Sequence, residues 1–255
     1  MTSIAQSNST GQNNVWHIGS FVHFGSLGIQ ESSFRLDFTG ETPLAEPLDY
    51  GSLAYYESVS VVTDQYGNER MYSDGLEIYD ASHSLMYGAP PVLSGTGITS
   101  GASTQGALSI TDRNNLDIIH FFTANAIDGP STGLRYHKID LSLTGNGTTE
   151  NPLGEVVEYD FVLDSSSTEM LTSFGSCESD SVWVVGHKVN SYDFIIILID
   201  ENGVSVKTQN VPTPTKHGSG FLYSSAGRGS LDFSPDGSKL AMTGQHPIGT
   251  HIMDF

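Results

Sequence analysis

The chain has 255 residues, 37% of them hydrophobic, with twelve Phe and eleven Tyr, so it can bury a substantial core and is not compositionally disordered. Ten Lys and Arg stand against 29 Asp and Glu, a formal charge of −19 with a pI near 4.5, and such a surface repels phosphate backbones and anionic lipid heads. Nucleic acid and membrane insertion are thereby excluded as expectations, and a single cysteine, Cys177, excludes an internal disulfide or a Cys-based zinc site.

Residues 1–14, "MTSIAQSNSTGQNN", read as a flexible leader or the remnant of a secretory signal. They lack an apolar h-region, yet "SIA" before Gln6 has the small-residue character of a signal's tail. Residues 15–255 read as one domain. Twenty-eight Gly and ten Pro, with no convincing amphipathic helical pattern, are what many tight turns between short strands require. After "VWHIG" and "FRLDF" comes "DQYGNERMYSDGLEIYD", residues 64–80: a turn, a short strand, an Asp-Gly turn, and a strand ending in aspartate. Later strands are "IIHFF", "YHKID", "EVVEYDFVL", "VWVVGH" and "VSVKTQNV". "FIIILI", residues 194–199, is long enough for one buried strand and far short of the roughly 18 to 20 apolar residues of a membrane helix.

The unit repeats. Strands end in aspartate at Asp37, Asp80, Asp140, Asp200 and Asp254, with spacings of 43, 60, 60 and 54 residues. In the last four units an earlier turn precedes that aspartate: "TDQYGNE", "TDRNNLD", "CESDS" and "SPDGS". A further candidate strand follows each of the first four aspartates, making four strands per unit. The expected fold is therefore all-β, a β-propeller of four-stranded antiparallel blades with about five units visible and the last incomplete. A single large sandwich would also supply short strands and turns, but its strands need not recur in fours with one terminal residue. The turn aspartates read as structural, since Asp side chains bond their own backbone two residues on.

The order of "VWHIGSFVHFG", "ESVSVVTDQYGNERMYSDGLEIYDASHSLM", "STQGALSITDRNNLDIIHFF", "GLRYHKIDLSLTGNG", "DSVWVVGHKVNSYDFIIILIDENGV" and "SLDFSPDGSKLA" resembles the N-terminal propeller region of large secreted Bacteroidetes surface proteins. Such proteins carry a C-terminal sorting domain for type IX secretion, of the gliding-motility-associated kind. The resemblance runs from about Val15 to Phe255 and implies a propeller fold, export to the cell surface or medium, and an adhesive role. It supplies no reaction, and proteins of that kind continue beyond this point into further domains.

The resemblance also matches His187, His217, Thr104 and Gln105 to positions of that pattern. Channel mouths are where propellers often bind small ligands, so these four, joined by Asp74, are the expected polar ligand site. The competing reading is that the histidines satisfy loop carbonyls and that Gln105 fixes a strand end. No catalytic residue and no metal ligand set emerges: H-E-x-x-H, G-x-x-x-x-G-K-[ST] and EF-hand loops are absent. No cofactor is expected, with calcium left open because acidic loops offer hard oxygen ligands. Asn8 and Asn146 head N-x-[ST] sequons, and Ser181 in "DSV" resembles a Bacteroidetes O-glycosylation acceptor, so these three are the glycosylation candidates.

The expected function is a non-catalytic extracellular or cell-surface propeller for adhesion, glycan binding or assembly of an extracellular structure, with a glycan or surface protein as partner. Two alternatives belong to other classes: a polysaccharide-acting enzyme using paired carboxylates, and a scaffold of a gliding or secretion apparatus. The fifth unit reaches only its third strand at "THIMDF". Its fourth is expected either from the "VWHIG" segment of the same chain or from other polypeptide, the latter giving a strand-sharing oligomer or fibre.

Overall fold

A computed structural model describes residues 2–4, 15–20, 34–48, 58–89, 103–124, 126, 133–175, 179–189, 191–210, 227–244 and 249–255. Asn8, Cys177 and His217 lie outside them. The described chain is all-β and forms five antiparallel sheets in sequence order. The first holds β1 (Thr2–Ile4), β2 (Val15–Ser20), β3 (Phe34–Asp37) and β4 (Leu44–Pro47); β1 lies within the segment read from sequence as a leader. The second holds β5 (Ser60–Thr63), β6 (Glu69–Ser73) and β7 (Ile78–Asp80). The third holds β8 (Ala107–Thr111), β9 (Ile118–Ala124), β10 (Leu134–Asp140) and β11 (Glu155–Asp164). The fourth holds β12 (Ser167–Gly175), β13 (Val182–Lys188), β14 (Asp193–Asp200) and β15 (Gly203–Asn210). The fifth holds β16 (Gly229–Phe233), β17 (Lys239–Gly244) and β18 (Gly249–Asp254). Among the described residues no helix is long and apolar enough to cross a membrane.

The repeat read from the aspartates is the repeat of sheets. Asp37, Asp80, Asp140, Asp200 and Asp254 each end the third strand of a sheet. Two expectations need correction. Among the described residues the second unit has three strands, and after Asp80, where a fourth was expected, they show isolated bridges from Leu85 to Tyr79 and from Tyr87 to Glu155. "VWHIG" does not complete the fifth unit, because β2 already has β1 on one edge and β3 on the other; β18 pairs with β17 alone among the described strands.

Each sheet is packed against the next. Sheets one and two meet through β2 and β5, two and three through β5 and β8, three and four through β8, β9 and β12, and four and five through β12 and β16. Successive side chains of a strand point to opposite faces, so an inner strand with a neighbour on each side must be apolar at nearly every position. Phe121 packs with Val62, Met71 and Ile78 of sheet two, whereas Phe122, the next residue, packs with Leu171, Val184 and Ile197 of sheet four. Both rings are fully buried, and each contributes roughly 1.5–3 kcal/mol. "FIIILI" is the same case: Ile195, Ile197 and Ile199 face sheet three, while Phe194 and Ile196 face sheet five.

The acidic residues close the turns. Asp37 accepts the Thr39 amide (2.8 Å), Asp80 and Asp140 accept the amide and hydroxyl of Ser82 and Ser142 (2.6–2.9 Å), and Asp200 accepts the Asn202 amide (2.8 Å). The earlier turns use Asp64, Asp112 and Asp236 in the same way, with Ser179 as the keying side chain in the fourth unit. Hydrogen bonds hold Asp37, Asp64 and Asp112 below the usual carboxylate range and bring Asp236 down to about 2. Gly237 in the last turn has φ +71°, and a Cβ there would come within 2.3 Å of the Phe174 ring of the neighbouring sheet.

Asp80 is the one such aspartate fully buried, and its second oxygen also accepts Asn146 Nδ2 of sheet three at 2.7 Å. Asp80→Ala is expected to lower stability by about 1–3 kcal/mol in urea denaturation, since it removes a buried acceptor that bonds both its own turn and Asn146 of the next sheet. Asp200→Ala, with its exposed amide donor, is expected to change it by less than about 1 kcal/mol. Equal effects would show that the buried cross-sheet bond contributes nothing.

Candidate functional site

Strand direction sorts the connections into two ends. β5, β8 and β16 begin at the end reached by the long connections 48–59, 81–106 and 211–228, and β12 begins there too; the opposite end carries the compact turns 64–68, 112–117 and 234–238. Function concentrates where loops are long and the scaffold beneath them is rigid.

At the long-connection end, four residues, Ser103–Gly106, join four sheets. The Gln105 side chain behaves as a peptide group added to β16: its Nε2 donates to the Leu231 carbonyl (3.0 Å) and its Oε1 accepts the Leu231 amide (2.7 Å). Its own amide donates to the Glu169 carbonyl of β12 (3.2 Å). The Thr104 hydroxyl donates to the Gly229 carbonyl (2.8 Å), and the Thr104 amide donates to the Glu169 carboxylate (3.2 Å). Toward sheet two, Ser58 Oγ donates to the Ser103 carbonyl and accepts the Gly106 amide (3.1 Å). One layer further, Ser60 Oγ donates to Ser109 Oγ (2.7 Å).

Glu169 is only 1% exposed, and Arg228 Nε lies 3.8 Å from its Oε1. The Arg228 side chain retains 34% exposure, so this end carries a guanidinium anchored on a buried carboxylate and reachable from solvent. In a chain of net charge −19, that is a place where a cation offsets a buried carboxylate.

Register places the other sequence candidates at the same end. Asp74 follows the last residue of β6, whose partner Ser73 pairs with Ser60 of β5. Its carboxylate accepts the amides of Leu76 (2.9 Å) and Glu77 (2.8 Å). Burial nevertheless pushes its carboxyl above the usual range. His187 lies near the end of β13, beside Lys188, which pairs with Ser167 at the start of β12. It is fully buried, edge-on to Phe194 at 4.7 Å, and presents no surface to solvent. Asp74, Thr104, Gln105 and His187 are thus brought to one end of the sheets, with Gln105 in the strand-fixing role.

The glycosylation candidates divide. Asn146 is exposed, but its Nδ2 donates to both Asp80 and the Leu85 carbonyl at 2.7 Å, so modification there would break two bonds between sheets. Ser181 is half-buried directly before β13. Among the described residues no three His, Cys, Asp or Glu side chains are grouped to hold a metal ion.

Glu169, Arg228 and the serine ladder were not singled out from sequence; the available signal was Glu169 itself, a carboxylate inside the otherwise neutral strand "STEMLTSFG". A second unselected group is a relay through sheet three. Asp112 Oδ2 accepts His120 Nε2–H (3.1 Å), leaving Nδ1 to accept the Tyr136 hydroxyl (2.9 Å). Burial holds the His120 ring below its usual pKa and raises the Tyr136 phenol. A neutral imidazole bonded on both sides and a phenol hard to ionise form a structural network. The pentapeptide Gly129–Gly133, "GPSTG", has the G-x-S-x-G spacing of a nucleophile elbow. It lies between the antiparallel strands β9 and β10, not between a strand and a helix as that elbow requires, and residues 127–132 are outside the described ones.

No protein-family model matches the chain, and no curated protein matches it in sequence.

Two outcomes follow. Gln105→Leu keeps the length but leaves the Leu231 amide and carbonyl unpaired in a buried place, so a loss of about 2–4 kcal/mol in urea denaturation is expected. A loss below about 0.5 kcal/mol would show that the amide does not tie sheets three and five. His137 is fully buried, with Nδ1 accepting the Asp160 amide (3.1 Å) and Nε2 beside Thr123 Oγ1 (3.3 Å), and burial, with Arg135 nearby, brings it down to about 3. Its folded pKa lies below the unfolded value near 6.5, so its contribution is complete above pH 6.5 and declines as pH falls toward about 3. The slope is at most about 1.4 kcal/mol per pH unit. His137→Gln should flatten the stability profile between pH 6.5 and 5, above the range where carboxylates titrate; an unchanged profile would contradict a neutral buried ring.

Proposed function

We propose that the chain is a β-propeller domain of an extracellular or cell-surface protein, non-catalytic, that binds a polar ligand of the glycan class at the end where the inner strands begin. Five sheets following one another in chain order, each meeting the next through an inner strand, support the propeller reading. The acidic composition and the resemblance to secreted surface proteins support the location.

The single observation that carries the ligand reading is the Glu169, Thr104 and Arg228 cluster. A guanidinium one-third exposed, held by a carboxylate that is itself bonded into the junction of three sheets, is a pre-positioned fork for vicinal hydroxyls or a sugar carboxylate. Its rigidity comes from the Ser103–Gly106 junction. Calcium, if bound, would find its oxygen ligands in the acidic loops.

A glycan array probed with the purified chain tests the reading. Binding to a defined glycan class is expected, weakened at least about tenfold in Arg228→Ala with a melting temperature within a few degrees of the parent, as for a partly exposed side chain. An array with no binding, or binding untouched by Arg228→Ala, would overturn it.

A further inference from the structure

A cavity opens between sheets four and five, lined by β13, β14, β15, β17 and β18. It encloses about 320 Å³, at the small end of ligand-sized sites. Its floor is Val185, Phe194 and Leu240, all nearly fully buried, and Trp183 and Phe255, in edge-to-face contact with each other at 6.3 Å between ring centroids, close one side. Polar groups reach the mouth from two strands, Lys207 and Gln209 from β15 and Asp254 from β18. Lys207 and Gln209 on β15 stand opposite Ile196 and Phe194 of β14, two residues apart and therefore on the same face.

The charges at that mouth are uneven. Asp254 is ion-paired with Lys239, both side chains being exposed. Lys207 is exposed and has no acidic partner among the described residues, in a chain where Arg35, Arg70, Arg135, Lys188 and Lys239 are all within 4.0 Å of carboxylates. A dry apolar floor beneath one uncompensated ammonium complements a molecule with an apolar body and a single anionic head. We propose that this cleft binds a medium-chain carboxylic acid, with the hydrocarbon against Phe194, Leu240 and Trp183 and the carboxylate at Lys207 and Gln209. This site is independent of the glycan reading, and it fits a small acid better than a folded partner because the cavity is enclosed between two sheets.

The chain carries two tryptophans, Trp16 and Trp183, so Trp16→Phe leaves Trp183 as the sole indole and a direct reporter of occupancy. Decanoate, titrated below its micelle-forming concentration, is expected to shift Trp183 emission saturably. Lys207→Gln should weaken decanoate two- to fivefold, as an exposed charge pair contributes, and leave decanol unchanged. Met253→Glu, which adds a negative charge at the cleft, should abolish the decanoate response while the far-ultraviolet circular dichroism stays that of the parent. No saturable shift, decanol binding as tightly as decanoate, or a decanoate affinity indifferent to Lys207→Gln would each overturn the proposal.

Discussion

The Gln105 amide standing in for a peptide group on β16 is the interaction on which the arrangement of sheets depends. Two hydrogen bonds in a place only 8% exposed are worth more than their surface equivalents, since either half left unmade strands a backbone group away from water. The residues on either side extend the tie to Ser58 of sheet two and Glu169 of sheet four, so four sheets that share no strand pairing are locked by one short segment. Apolar burial presses the sheets together but is indifferent to small slides; these directional bonds set where each sheet stops.

The acidic composition has a local explanation before it has a functional one. An aspartate at the end of a third strand, bonding an amide two residues on, is used in four of the five sheets, and similar side-chain keys close the turns at the opposite end. With many carboxylates so used, 29 Asp and Glu face only ten Lys and Arg. That imbalance makes Lys207 informative, because it places positive charge at the mouth of a cavity.

Buried polarity follows the same logic. His137 is neutral between an amide donor and a hydroxyl, and His120 is bonded on both ring nitrogens; in each case the tautomer is set by the partners. Placing such rings within strands costs apolar area but adds direction to contacts that packing alone would leave free.

What the sequence by itself determined is the all-β class and the five-fold repeat, because both rest on local physics: alternation within strands and aspartate-keyed turns are decided within a few residues of themselves. Asp80 and Asp140 could be placed at strand ends from "LEIYD" and "YHKID" alone. Gln105 was legible only as one of two readings, since "STQG" does not reveal that Leu231, 126 residues away, offers an amide and a carbonyl at the right spacing. Of the two completions the sequence left open for the fifth unit, the one through "VWHIG" fails for the same reason: the segment is β-prone wherever it pairs, and only the register with Phe34–Asp37 and Thr2–Ile4 decides which edge it takes. Glu169 beside Arg228, and the cleft under Lys207, join residues from different sheets, and that proximity is produced by packing two-faced sheets against one another, a tertiary outcome that no local pattern encodes.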